Sequence, residues 1–309
     1  MTWNTDILGP DFESLTIDLG PDPANEGAEG EIYATLVRHK PTTGRHALFF
    51  IHGMSDYFFQ DHVAEFFTNH GFSVYAIDLR KCGRSLRPGQ RPHHIRDLHS
   101  YDKELNAAMD IISSMHEHVT VIGHSTGGLI APLWLANNPH PKVVSLVLNS
   151  PWLDIHVDKR KLKVLRPIVK AMRRILPEVN IPEEKISNYA TSLAVDWDFN
   201  QEWKPLGSHK KTFGWLACIM DGQEELHKGL GLEMPVLVMR SDKSKIGTAA
   251  TDADTVLMVE DMQYWAPRLG NKVSVVVVEN GMHDLFLSKP EPREIALNEA
   301  LRFIQEHGE

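Results

Sequence analysis

The chain of 309 residues has only two cysteines, Cys82 and Cys218, and it lacks any apolar run of 18 or more residues. Two thiols are too few for a disulfide framework or for a structural zinc site that needs three or four cysteines. The missing apolar run argues against a membrane-spanning helix, and no repeat occurs at solenoid or propeller periods. These absences predict a globular protein that tolerates a reducing compartment.

The chain also lacks an excess of positive charge. Its formal net charge is -9, which disfavours nucleic acid as a partner because phosphate binding needs a basic surface. The N-terminal stretch MTWNTDILGPDFESLTIDLG contains neither a basic segment nor an apolar one, so we expect a cytoplasmic location by default. The histidine pairs of the sequence lack partners at metal-ligand spacing, and we predict no metal.

The sequence does contain an alternation of short apolar runs with helical patterns. Strands are predicted at 46–51, 73–79, 119–123 and 143–148, with helices at 58–70, 100–117 and 127–137. Alternating segments at 15–19 and 31–39 predict an antiparallel hairpin ahead of them. Near-continuous apolar strands that alternate with helices indicate an α/β fold with a mostly parallel central sheet flanked by helices.

The alternation stops after the fourth of these strands. It resumes with a strand at 235–240, a helix at 255–269, a strand at 273–278 and a helix at 291–306. A gap of about eighty residues is too long for a connection without structure of its own. We therefore divide the chain into a core of residues 1–153 and 234–309 and an insertion of residues 154–233.

The pentapeptide GHSTG (123–127) lies between a predicted strand and a predicted helix. A direct passage from strand to helix strains the central residue, and only small neighbours such as Gly123 and Gly127 permit it. Ser125 would then project above the carboxyl edge of the sheet, beside a helix N-terminus that favours an oxyanion. Because the motif has the strand-turn-helix context that it requires, we predict that Ser125 is a nucleophile.

A serine hydroxyl needs a base to take its proton. His283 follows the last predicted strand in the loop ENGMHDLF, and we predict that it is this base. An acid from the loop after the strand at 235–240 should orient the histidine. We favour Asp254, which precedes the start of a helical pattern, and keep Asp242 as the alternative acid and Asp252 as a helix cap.

Two backbone amides are predicted to form an oxyanion hole. One is that of Met54, in the loop after the strand at 46–51, where Gly53 lets the chain turn inward. The other is that of Thr126, directly after the nucleophile. Because both donors belong to the backbone, we expect side-chain deletion to leave them in place.

With these residues identified, the chain resembles an α/β-hydrolase of the monoacylglycerol lipase, lysophospholipase and serine aminopeptidase-like group. The resemblance rests on FFIHGMSDY (49–57), YAIDLRKCGRSL (75–86), GHSTGG (123–128), SPWLD (150–154), ADTVLMVEDMQYWA (253–266) and GMHDLFLS (281–288). It implies an α/β-hydrolase fold without a cofactor, in which residues 154–233 form a helical cap and Met54 and Thr126 supply the oxyanion amides. It also implies a catalytic acid that is the first residue of a D-x-V pattern, as Asp254 is. The loop before Asp254 is longer than is usual in the family, so Asp242 remains the alternative acid.

The first part of the insertion predicts an amphipathic helix, in which Pro167 starts a second helix or kinks a single one. Its apolar stripe comprises Leu162, Leu165, Val169, Met172 and Leu176. Its basic face comprises Lys159, Arg160, Lys161, Lys163, Arg166, Lys170, Arg173 and Arg174. We expect this face to be solvated, and the alternative is peripheral contact with an anionic lipid interface or an acidic headgroup.

The expected function is hydrolysis of a carboxylic ester, with a small-molecule substrate that carries an acyl chain. One alternative is an aminopeptidase or amidase, in which Glu183 and Glu184 of the insertion would bind the substrate ammonium group. Another is a catalytically silent binding protein of the same fold, and a cofactor-free haloperoxidase would share the triad. The sequence predicts no particular oligomeric state.

Overall fold

A twisted sheet forms the centre of the computed structural model, which describes residues 2–24, 26–27, 30–157, 159–181 and 188–308. The strands within these residues are β1 (Asn4–Asp6), β2 (Gly9–Pro21), β3 (Glu31–His39), β4 (His46–Ile51), β5 (Ser73–Asp78), β6 (His118–His124), β7 (Val143–Asn149), β8 (Val236–Ser241) and β9 (Val273–Val278). They lie in the order β1-β2-β3-β5-β4-β6-β7-β8-β9. The pairs from β5 to β9 are parallel, and the pairs from β1 to β5 are antiparallel.

Helices cover both faces of this sheet. They are α1 (Asp61–Asn69), α2 (Asp102–Met115), α3 (Gly127–Asn137), α4 (Lys159–Ile175), α5 (Tyr189–Leu193), α6 (Phe213–His227), α7 (Val259–Trp265) and α8 (Pro290–His307). Neighbouring residues of β4 show the two faces: Leu48 belongs to the apolar cluster that contains α1 and α8, and Phe49 to the cluster that contains α2 and α3. The central strands β4 to β8 are therefore buried on both sides, as their continuous apolar runs predict. The predicted α/β fold, with a mostly parallel central sheet flanked by helices, is confirmed.

Some predicted helix bounds are wrong. The helix predicted from residue 58 begins at Asp61, and the one predicted from residue 100 begins at Asp102, after a short 3-10 turn. The helix predicted at 255–269 is shortened to Val259–Trp265. Its start is delayed because the Asp254 carboxylate accepts the backbone N–H groups of the residues two and three positions later, which holds the chain in a turn.

The segment between β7 and β8 contains α4, α5 and α6. Pro167 lies inside α4 and does not begin a second helix. The residue Val169 of α4 is buried against Ala217 and Met220 of α6, and Leu162 and Leu165 pack beside them. The expected apolar stripe therefore faces α6 over most of its length, whereas Leu176 lies beyond the helix and is 44% exposed.

The basic face of α4 is not wholly solvated, and that expectation is wrong at Arg166, Lys170 and Arg173. Arg166 Nη1 lies 2.9 Å from the carboxylate of Glu224, and Lys170 Nζ lies 3.0 Å from the same residue. Arg173 pairs with Asp221. These acids belong to α6, so part of the positive charge of α4 is neutralised within the segment between β7 and β8. Among the described residues, no helix is long and apolar enough to cross a membrane.

Candidate active site

Ser125 occupies the tight turn between β6 and α3. Its φ is 53°, in the left-handed region that non-glycine residues rarely adopt. A Cβ at Gly123 would lie 2.6 Å from the carbonyl oxygen of Gly127, so this turn requires glycine there. The Ser125 N–H donates to Asn149 O at 3.1 Å, which ties the turn to the end of β7. The strained strand-to-helix geometry agrees with the sequence expectation.

His283 and Asp254 lie next to Ser125 in a continuous chain of hydrogen bonds. His283 Nε2 lies 3.0 Å from Ser125 Oγ, and His283 Nδ1 lies 2.9 Å from Asp254 Oδ2. His283 is 3% exposed and Asp254 is fully buried. The second oxygen of Asp254 accepts two backbone N–H groups at 2.8 Å each, which fixes the carboxylate and hence the imidazole.

The competing aspartates have other partners. Asp242 Oδ1 accepts the N–H of Asn280 at 2.8 Å, and its other oxygen faces Lys243. Asp252 pairs with Lys245 at 2.8 Å on the surface and does not cap a helix, so that reading is wrong. Within the described part of the chain, only Asp254 of the three candidates contacts His283.

The loop after β4 passes directly over Ser125. A Cβ at Gly53 would lie 2.9 Å from Ser125 Cβ, so only glycine allows this approach. Neither the Met54 N–H nor the Thr126 N–H donates to another of the described residues. Because N–H groups in such enclosed positions are usually paired, two amides free of protein acceptors on either side of a serine are suited to hold a ligand oxygen.

His52 supports the same loop. Its Nε2 accepts the Leu79 N–H at 3.1 Å, so the proton of the neutral ring is on Nδ1. That N–H donates to the carbonyl of Gly53 at 2.7 Å. These contacts give His52 a structural role, because its ring holds the peptide that carries the Met54 N–H.

An open pocket of about 720 Å³ adjoins Ser125 and His283. Its apolar wall includes Met54, Trp152, Leu206, Val256 and Leu257. Its polar wall contains a buried ion pair, in which Lys204 Nζ lies 2.8 Å from Asp56 Oδ1. The pocket therefore offers an apolar surface for a chain and a polar surface for a headgroup beside the same hydroxyl.

The sequence analysis missed three residues that hold the loop containing His283, namely Asn149, Tyr189 and Asp284. Asn149 Nδ2 donates to Asp284 Oδ1 at 2.7 Å, and Asn149 Oδ1 accepts the Leu285 N–H at 3.1 Å. Tyr189 Oη accepts the Asp284 N–H at 2.9 Å, and its ring lies nearly perpendicular to that of His283 with the centroids 5.4 Å apart. The sequence signal for Asn149 was a polar residue that ends an apolar strand. No local signal pointed to Tyr189.

The neighbours of Asp284 keep it charged. Burial alone would raise the pKa of this carboxyl, but the hydrogen bonds from Asn149, Gln60 and the Phe286 N–H lower it. His124 is also buried, and the burial lowers its pKa. Asp284 thus remains a hydrogen-bond acceptor that anchors the loop next to His283.

Comparison with known proteins gives one consistent group. The family model described as "Serine aminopeptidase, S33" matches residues 42–290. The chain is 26% identical over 250 residues to a monoacylglycerol lipase of Mycolicibacterium smegmatis, covering 80% of this chain and 82% of that protein. It is 26% identical over 201 residues to phospholipase YtpA of Bacillus subtilis, covering 63% and 74%. A crystal structure of Paleococcus ferrophilus monoacylglycerol lipase shares the fold, with a TM-score of 0.66, 19% identity and coverage of 96% and 99%.

Proposed function

Because the chain belongs to the serine aminopeptidase S33 family of α/β-hydrolases, we propose that it is a serine hydrolase that cleaves carboxylic esters through an acyl-enzyme. The observation that carries the proposal is the 3.0 Å contact between Ser125 Oγ and His283 Nε2, with Asp254 behind the imidazole. The names of the relatives, a monoacylglycerol lipase and a phospholipase, support an ester as the substrate.

The proposed reaction uses each group in turn. His283 takes the proton of Ser125 as the hydroxyl oxygen attacks the ester carbonyl, and the carbonyl oxygen becomes an oxyanion held by the Met54 and Thr126 amides. The protonated imidazole then gives its proton to the leaving alcohol, which leaves the acyl group on Ser125. Water, activated by the same histidine, releases the acid. Asp254 holds the imidazole in the tautomer that these steps need.

The insertion is proposed to act as a cap, residues 154–233, over a core of residues 1–153 and 234–309. Its support is that Tyr189, Lys204 and Leu206 line the pocket next to Ser125. The apolar wall fits an acyl chain, and the substrate is accordingly proposed to be a small ester with such a chain.

A peripheral contact with lipid is proposed for the outer face of α4. This face carries Val164, Ile168 and Ile175, which are 64%, 52% and 72% exposed. They recur at helical spacing on the side away from α6, and Lys163 and Arg174 of the same helix are also exposed. With part of the basic face paired to α6, the proposal now depends more on this apolar stripe than on charge.

The experiment is a substrate panel with a covalent probe. We expect hydrolysis of 4-nitrophenyl esters and labelling by a fluorophosphonate, both lost in Ser125→Ala. Amino-acid nitroanilides test the aminopeptidase alternative, whose expected carboxylates, Glu183 and Glu184, lie outside the described residues. Preference for the nitroanilides would replace the esterase proposal, and neither turnover nor labelling would favour a silent binding protein.

A further inference from the structure

The peptide that follows Met54 is held by a second buried histidine, which comes from a different part of the chain. His93 lies 38 positions from Ser55, is 5% exposed, and its Nε2 accepts the Ser55 N–H at 2.9 Å. An imidazole nitrogen that accepts a hydrogen bond carries no proton, so the ring proton must be on Nδ1. His93 is therefore present in one defined tautomer.

Cys82 fixes the other side of this ring. Its Sγ lies 3.2 Å from His93 Nδ1 and donates to the carbonyl of Arg80 at 3.3 Å. Burial raises the pKa of the Cys82 thiol well above its usual range, so the thiol keeps the proton that it donates. The resulting path runs from Arg80 O through the thiol and the imidazole to the Ser55 N–H, and every side chain in it is buried.

The surroundings keep His93 neutral. Burial lowers the pKa of His93 well below its usual value, and the charge of nearby Lys204 acts in the same direction. A protonated ring would have no acceptor for the Ser55 N–H. The environment thus preserves the hydrogen bond that holds the loop.

The loop needs such a restraint. Ser55 has a φ of 53°, a left-handed conformation that is unfavourable for a side chain with a Cβ. Its hydroxyl contacts Ser208 Oγ at 2.8 Å and accepts the His209 N–H at 2.9 Å, so the side chain is tied to the insertion. On the core side, His52 holds the Gly53 carbonyl. The peptides before and after Met54 are thus each held by one histidine, and a trans peptide held at its carbonyl presents its N–H on the opposite side.

We propose that His93, oriented by Cys82, is a positioning residue of the oxyanion hole: by accepting the Ser55 N–H it keeps the Met54 N–H directed at the substrate carbonyl oxygen on Ser125. This inference rests on the proposed function. Oxyanion stabilisation requires donors that are already in place when charge develops, so a loop that is free to turn would lose rate more than substrate binding.

The test compares His93→Phe, which removes the acceptor, with His93→Gln, whose amide oxygen restores one. His116→Phe is the matched control, because His116 is also buried and doubly hydrogen-bonded but lies at Gly44, away from the site. Active sites are counted by fluorophosphonate titration, and kcat and KM are measured on a short 4-nitrophenyl ester. The affinity of a trifluoromethyl ketone, which forms an oxyanion on the serine, is measured alongside.

We expect His93→Phe to lower kcat per titrated site by about tenfold or more, with KM changed less than about twofold. The Ki of the ketone should rise by the factor by which kcat/KM falls, and His93→Gln should recover most of the loss. His116→Phe should keep kcat per titrated site. Unchanged kcat in His93→Phe, an equal loss in His116→Phe, or a ketone Ki that does not follow kcat/KM would overturn the inference.

The two cysteines provide a milder pair of variants if His93→Phe does not fold. Cys82→Ala removes the partner of the ring and should lower kcat per titrated site in the same direction, whereas Cys218→Ala, also buried, should not. Equal effects of the two would count against the inference. An unmodified chain that neither turns over esters nor reacts with the probe would instead overturn the proposed function, and the inference with it.

Discussion

At the scale of single residues, Asp254 has two separate bonding tasks. One oxygen faces His283, and the other accepts the N–H groups of Val256 and Leu257. These contacts leave the carboxylate with one orientation. In any replacement, the side-chain oxygen that is left will therefore accept the two backbone N–H groups. The other group of the side chain will then face the imidazole of His283.

Asp254→Asn should lower kcat by about 10⁴-fold. The amide oxygen will stay on the backbone N–H groups, so the NH₂ group will face His283 Nδ1 and favour the wrong tautomer of the imidazole. Asp242→Asn is the matched control and should keep turnover close to that of the unmodified chain, measured on a soluble ester. Loss of turnover in the Asp242 variant alone would show that the acid is misassigned.

Asn149→Ala should lower both stability and turnover. The substitution removes one of the hydrogen bonds to Asp284 and leaves the Leu285 N–H without its buried acceptor, at a cost of about 1–3 kcal/mol in the free energy of unfolding. It also releases the His283 loop from the turn that carries Ser125, so we expect kcat to fall by about tenfold or more.

Urea unfolding and active-site-titrated kinetics check this prediction. Asn106→Ala is the control, because Asn106 also makes two side-chain hydrogen bonds but at α2 and α3. We expect Asn106→Ala to lose about as much stability as Asn149→Ala but to keep full turnover per active site. If Asn149→Ala behaves in the same way, its role is confined to folding.

At the scale of elements, α4 has two apolar faces, of which one is buried and the other is exposed. The inner face packs on α6, and ion pairs from Arg166, Lys170 and Arg173 close the sides of that contact. The outer face is exposed. A helix that is apolar on both sides usually has a second environment to bury the other face.

Ile168→Glu should weaken the association of the protein with lipid vesicles, because it places a charge within the exposed stripe. Ile295→Glu is the control, since Ile295 is 43% exposed and lies on α8 rather than on α4. Vesicle co-sedimentation, with and without anionic lipid, measures the effect, and turnover of a short soluble ester should stay unchanged. Equal sedimentation of both variants and the unmodified chain would remove the support for a lipid contact.

At the scale of the whole molecule, buried neutral histidines link stability to pH. Burial lowers the pKa of His46 to about 4, with help from His118 and His116. Burial also lowers the pKa of His93, His124 and His209. The pKa of His99 is shifted in the opposite direction, because Glu225 raises it against the effect of burial.

We expect the free energy of unfolding to fall as the pH drops from about 6.5 towards 4. In that window the unfolded chain takes up protons, near the usual histidine pKa of about 6.5, while the buried rings of the folded protein remain neutral. Urea midpoints measured at several pH values should therefore decrease with acidity. His46→Gln should flatten the dependence, and a profile that is level between pH 7.5 and 5 would contradict the expected linkage.

The amino-acid sequence by itself determined the succession of β2 to β9 with the helices α1, α2, α3, α7 and α8, the strained turn at Ser125 and the position of His283 after the last strand. These features follow from local patterns, because apolar periodicity and glycine spacing act on residues close together in the chain. Helix bounds were less accurate where a side chain capped the backbone, as Asp254 does before Val259.

Only the tertiary structure decided which of three aspartates meets His283, that Asn149 and Tyr189 hold its loop, and that His93 reaches Ser55. It also decided that part of the basic face of α4 pairs with α6. The physical reason is the same in each case. Such contacts join residues far apart in the chain, and whether they meet depends on the paths of loops and on the packing of elements, neither of which has a local signature in sequence.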